Sequence, residues 1–174
     1  MIDIDERFID ISENTRSGEK IREIHKVILH DVPLKYENGI KNRNYINNLK
    51  YQDEMFMSYH YIIEQSGKIL QLIPEDELSL HTKYLEFDLY SISIALCYDK
   101  NTNSLTKETL NSLFKLTKRI TTKYNLEFKY DIILCYNLIN KRSPIFFIDN
   151  PYIFYDFKNQ KWLCFSWLKC TFLI

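Results

Sequence analysis

The sequence predicts one α/β domain in which a central mixed β-sheet is flanked by helices, in two or three layers. Three observations predict it. Between residues 25 and 158, short apolar runs alternate with stretches of helical periodicity, the order expected of strands joined through helices. The run SISIALCY (91–98) alternates cleanly, with Ile92, Ile94 and Leu96 on one face and Ser91, Ser93, Ala95 and Cys97 on the other. The stretch TKETLNSLFKLTKRITTKY (106–124) has the spacing and the cap of an amphipathic helix. At 174 residues the chain is about the size of one domain with a proper core.

Residues 1–24 are polar and mixed and read as an arm laid over a domain spanning 25–158. HKVILHDV (25–32) is rich in β-formers and reads as a buried strand. IKNRNYINNLKYQ (40–52) sets Ile40, Tyr45, Ile46 and Leu49 near helical spacing. SYHYIIE (58–64) and KILQLI (68–73) are strands joined by QSG, where Gly67 can take a positive φ. Alternation places the His60 side chain on the face opposite Tyr59. In 106–124, Thr106 caps the helix and Leu105 and Leu110 form a hydrophobic staple. Leu110, Leu113, Phe114, Ile120 and Tyr124 line one of its faces. DIILC (131–135) is a further short strand, and NPYIFYDFK (150–158) a helix opened by Asn150 with Pro151 at its first position. Residues 159–174 form an apolar tail, and KWLCFSWLKCTFLI (161–174) either packs on the domain or mediates self-association.

Composition excludes several functions. Lysine plus arginine (23) equals aspartate plus glutamate (23), so no net field draws the chain to nucleic acid or an anionic membrane. The three glycines, Gly18, Gly39 and Gly67, lie far apart, which rules out a P-loop and a dinucleotide-binding fingerprint. No apolar run approaches the roughly 18 residues of a membrane span. The start, MIDIDERFIDIS, is acidic and without a continuous apolar core, so the expectation is synthesis in the cytoplasm. Cys97, Cys135, Cys164 and Cys170 form no CxxC pair and are expected as thiols.

The chemistry-bearing residues stand in a particular order. His30 ends the first strand, SYHYIIEQSGKILQLIPEDELSLHTK carries Tyr59, His60 and His81, and IILCYNLINKRSP carries Cys135, Lys141 and Ser143 before FIDNPYIFYDFK. From about Val27 to Lys158 this order resembles the type 2 N-acetylmuramoyl-L-alanine amidases, the zinc-hydrolase fold shared with phage lysozyme-amidases and peptidoglycan recognition proteins. YHYIIEQSGKILQLIPED and NKRSP…FIDNP are its most specific parts, the second being similar to clostridial members.

The resemblance implies a zinc site built from a histidine ending the first strand, a histidine ending a late strand, and a cysteine or aspartate eight positions on. His30 matches the first, Cys135 stands at the second and Ser143 at the third. It further implies that Tyr59 and Lys141 stabilise the developing oxyanion, and that His81 is a cleft histidine touching substrate. Ala95 stands where many bacterial members carry a glutamate. A neutral hydroxyl is a poor zinc donor, so the implied metal set is degenerate.

Three functions remain open at this level. One is a domain that binds peptidoglycan or muropeptides with little or no hydrolysis. Another is an active zinc amidase with a noncanonical His/Cys set, cutting the amide between muramic acid and L-alanine. The last is a decaying remnant. A protein of this type made in the cytoplasm reaches the wall only on lysis or through a holin.

Overall fold

The computed structural model describes residues 2–32, 38–51, 58–82, 84–99, 101–135 and 144–160. Its strands are β1 (Asp5–Glu6), β2 (Lys26–Asp31), β3 (Tyr61–Ile63), β4 (Ile69–Gln71), β5 (Ser91–Leu96) and β6 (Ile132–Leu134). Its helices are α1 (Gly39–Asn48), α2 (Leu85–Asp88), α3 (Lys107–Lys123), α4 (Ile145–Asp149) and α5 (Pro151–Lys158). The strands form one sheet in the order β1-β4-β3-β5-β2-β6. All neighbours are parallel except the β3–β4 hairpin, so the sheet is mixed, as the sequence predicts.

Both faces of the sheet are covered. Val27, Leu29, Tyr61, Ile63, Ile92, Ile94 and Leu96 meet Leu110, Leu113, Phe114, Leu116 and Ile120 of α3, with Phe146, Phe147 and Phe157 from α4 and α5. On the opposite face Tyr59, Ile62, Leu70, Ala95 and Cys97 pack with Ile46 of α1 and Ile9 of the N-terminal arm. The alternation in β5 is thus real, yet neither set of side chains meets solvent, because helices lie on both sides.

Local chemistry fixes the ends of the elements. Thr106 accepts from the Thr109 N–H (3.1 Å), and Leu105 and Leu110 are both buried beside it. Gly67 takes φ +82° in the hairpin turn, where an added Cβ would lie 2.9 Å from the Glu108 carbonyl oxygen. Gly39 opens α1 against the sheet with no room for a side chain, and its N–H donates to Glu64 Oε1 (2.8 Å). Asn150 precedes Pro151 as expected, but its side chain does not cap α5; its Nδ2 donates back to the Phe146 carbonyl (2.9 Å). The arm contributes β1, which pairs with β4 at the sheet edge. The segment 161–174 lies outside the described residues.

A buried carboxylate clasps α3 to the end of the β3–β4 hairpin. Glu75 accepts from the Tyr61 hydroxyl (2.6 Å), Arg119 Nη1 (2.8 Å), the Tyr124 hydroxyl (2.9 Å) and Lys123 Nζ. Burial alone would raise its carboxyl pKa. The hydrogen bonds from Lys123, Tyr61 and Tyr124 and the Arg119 charge outweigh burial and hold it down to about 2.

Candidate functional site

The site is built on the α1-side face of the sheet, around His30. β2 runs between β5 and β6, and the register places His30 directly beside Ala95. Leu29 pairs with Leu134 and accepts from the Cys135 N–H (3.0 Å), so the register, continued by one residue, sets Cys135 on the other flank of His30. Two residues 105 apart in sequence are neighbours because two short apolar strands lie parallel.

Small side chains on β5 make room for three imidazoles. Ser91, Ser93 and Ala95 share one face, and a histidine lies against each. His81 Nε2 is 3.0 Å from Ser91 Oγ, His60 Nδ1 is 3.0 Å from Ser93 Oγ, and His30 adjoins Ala95. His30 Nε2 in turn lies 2.9 Å from His81 Nδ1, with the rings edge to face.

His60 is structural. Its Nε2 donates to the Glu77 carbonyl (2.9 Å), while its Nδ1 accepts from the Ser93 N–H (3.0 Å). Burial holds its pKa at about 4, against the weaker opposing pull of the Glu77 carbonyl and nearby carboxylates, so it is neutral at physiological pH. Alternation had set it opposite Tyr59. The chain bends at His60 before β3 begins, and both side chains come to the same side of the sheet.

Tyr59 packs against His30 with ring centroids 5.2 Å apart. It is 1% exposed, and its hydroxyl has no hydrogen-bond partner among the described residues. Burial first, then the nearby Cys135 and Asp31, raise the phenol pKa, so it stays a protonated donor at any ordinary pH. A buried donor without an acceptor costs about 1–3 kcal/mol, which a ligand oxygen placed against it would recover.

The remaining residues implied by the resemblance divide. His81 is wholly buried behind His30, with one ring nitrogen toward His30 and the other toward Ser91 and Asp88 (3.4 Å). That position suits support of His30 rather than the substrate contact the resemblance implies. Lys141 and Ser143 lie outside the described residues. Cys97 faces α1, where Asn42 Nδ2 donates to its sulfur (3.3 Å) and burial pushes its thiol up to about 12. It is a packing residue. Sequence reasoning did not assign a role to Ser91 or Asp88, although the Ser91–Ser93–Ala95 face was visible as a stripe of small residues.

Zinc takes imidazole nitrogen and thiolate readily, and His30 and Cys135 supply one of each. Among the described residues no group of three His, Cys, Asp or Glu side chains could hold a metal ion. The resemblance offers only the Ser143 hydroxyl as a third donor.

Comparison with known proteins agrees with this fold. The family model described as N-acetylmuramoyl-L-alanine amidase matches residues 20–144. The N-acetylmuramoyl-L-alanine amidase BlyA of Bacillus subtilis (strain 168) is 22% identical over 171 residues, covering 88% of this chain and 45% of its own length. CwlL of Bacillus licheniformis, with the same activity in its name, is 23% identical over 155 residues, covering 83% of this chain and 42% of its own. The chain therefore spans less than half the length of these relatives. Among solved structures, a mutant endolysin from Bacillus subtilis superposes with a TM-score of 0.73 at 19% identity, covering 91% of this chain and 98% of that one. The peptidoglycan recognition protein PGRP-SA of Apis mellifera superposes with a TM-score of 0.64 at 23% identity, covering 82% and 89%.

Proposed function

Because the chain belongs to the type 2 N-acetylmuramoyl-L-alanine amidase family, we propose that it recognises peptidoglycan or muropeptide fragments and hydrolyses them slowly or not at all. The observation that carries recognition is the Tyr59 hydroxyl, a buried donor beside His30 with no acceptor among the described residues. Muropeptides offer carbonyl and hydroxyl oxygens in abundance, and one such oxygen satisfies it.

Hydrolysis asks for more than binding. An attacking water must lose a proton, and the developing oxyanion needs compensation. Ala95 puts a methyl group beside His30 where the resemblance implies a carboxylate, so that position can accept no proton. With Cys135 and Ser143 at the other two positions where the resemblance implies metal ligands, this chain would hold the family's zinc weakly.

Calorimetry with a muramyl dipeptide, with and without a chelator, tests the reading. Binding that survives the chelator supports it. No binding to any muropeptide or to intact wall would sink recognition. Stoichiometric zinc after dialysis, lost in His30→Ala, would overturn the degenerate-site reading and favour an active enzyme.

For the apolar segment 161–174 the proposed role is self-association. Truncation before residue 161 should then convert an oligomer to monomer in analytical ultracentrifugation, and unchanged sedimentation would remove that role.

A further inference from the structure

On the α3 side of the sheet, at the edge where β1 pairs with β4, the N-terminal arm, the β3–β4 turn and α3 enclose a cavity of about 510 Å³. It lies on the face opposite His30 and shares no residue with the site described there. Its volume falls inside the range of about 300–1,000 Å³ usual for small-molecule sites.

The walls are tied together at two seams. The Ser112 hydroxyl donates to the Gly67 carbonyl (2.6 Å), which docks the turn onto α3. Lys68 Nζ pairs with Asp5 (2.7 Å), which joins the turn to the arm. Ile2 and Ile69, both packed on the α3-side core, supply the apolar part of the lining. A cavity held at both seams keeps its shape when empty, so little ordering is lost when a ligand enters.

Four charged side chains line it, Asp3 and Asp5 against Lys68 and Lys115, so its formal charge sums to zero. Asp5 and Lys68 satisfy each other. Asp3 on the arm and Lys115 on α3 have no hydrogen bond or ion pair among the described residues. Water alone can solvate two such charges on an open surface, but these two border one cavity from different walls. A ligand with a single charge gains at one wall and loses at the other. A ligand with both charges gains at each, and the isoleucines offer its small side chains an apolar surface.

We propose that this cavity is a second binding site, for a short peptide with free termini whose carboxylate meets Lys115 and whose ammonium meets Asp3. Recognition of muropeptides at Tyr59 is a separate matter, because the two sites lie on opposite faces of the sheet.

The test is nuclear magnetic resonance on the full chain labelled with 15N, titrated with dialanine, trialanine and tetraalanine. At least one of these peptides should shift the amide signals of Gly67, Ser112 and Lys115 saturably. Asp3→Asn and Lys115→Met, both changes at exposed positions, should each weaken that peptide about 2- to 5-fold, the range for exposed ion pairs. The same peptide acetylated at its amine and amidated at its carboxyl loses both contacts and should bind about 4- to 25-fold more weakly.

No saturable shift with any of the three peptides overturns the proposal. Equal binding of the capped peptide, or undiminished binding to both variants, overturns it as well. Muramyl dipeptide carries a carboxylate and no ammonium, so it should leave these three signals in place while shifting those beside Tyr59. An equal shift at Gly67, Ser112 and Lys115 with muramyl dipeptide would contradict selection for both charges. Because the two sets of signals are read separately, failure at one site is distinguished from failure at the other.

Discussion

Replacing Tyr59 with phenylalanine removes one oxygen and should move stability and binding in opposite directions. The hydroxyl is fully buried and has no acceptor among the described residues. Leaving such a group unmade costs about 1–3 kcal/mol, and an apolar ring of the same shape avoids that cost. For a domain of this size each kcal/mol corresponds to roughly 2–4 °C, so Tyr59→Phe should raise Tm by roughly 2–12 °C. The same oxygen is the proposed donor to the ligand. Losing a hydrogen bond worth about 0.5–1.5 kcal/mol should weaken muramyl dipeptide binding about 2- to 13-fold. Differential scanning calorimetry reads the first effect and isothermal titration the second. A variant that melts lower than the parent, or binds muropeptide equally well, would refute the assignment of Tyr59 as an unsatisfied ligand donor.

Two further predictions concern acid. His60 titrates at about 4 in the folded chain against 6.5 when unfolded, so its contribution is whole above pH 6.5 and is lost as pH falls toward 4. The full loss is about 3 kcal/mol, and urea unfolding at pH 7 and pH 4.5 should show most of it in the parent and little in His60→Asn. Equal slopes in both proteins would count against a neutral buried imidazole. Glu75 has the opposite chemistry and the same direction. Its folded pKa of about 2 lies below 4.5, so its stabilisation is present above pH 4.5 and disappears toward pH 2. Because Arg119 and Lys123 reach solvent, screening reduces the upper figure of about 3 kcal/mol to about 1–3. Glu75→Gln should lower the pH 7 urea midpoint accordingly and flatten the profile below pH 4.5. An unchanged midpoint would mean the clasp contributes nothing.

Strong periodicity made the larger elements legible. β2, β5 and α3 follow from an apolar run, a two-residue alternation and a capped helical stripe, and each forms with ends close to those expected. β1 left no such trace, because two residues joined to β4 by main-chain hydrogen bonds carry no side-chain pattern. Alternation failed at His60 for a related reason: a bend just before a three-residue strand resets the faces. At the site, His30 and Tyr59 were identified from the family resemblance and do stand together. The burial of His81 could not be read from sequence, since its partners His30, Asp88 and Ser91 lie on separate elements and one is 51 residues away. The serine stripe on β5 was the available signal, read as one face of a strand when it was also the seat for two imidazoles.

The most direct measurement incubates the purified protein with purified peptidoglycan, then sediments the wall and assays the supernatant for newly exposed L-alanine amino groups. The expected result is protein in the pellet, depleted in Tyr59→Phe, with no new amino termini above a protein-free control. Release of L-alanine amino groups in proportion to protein would contradict the loss of hydrolysis, and protein left wholly in the supernatant would contradict recognition itself.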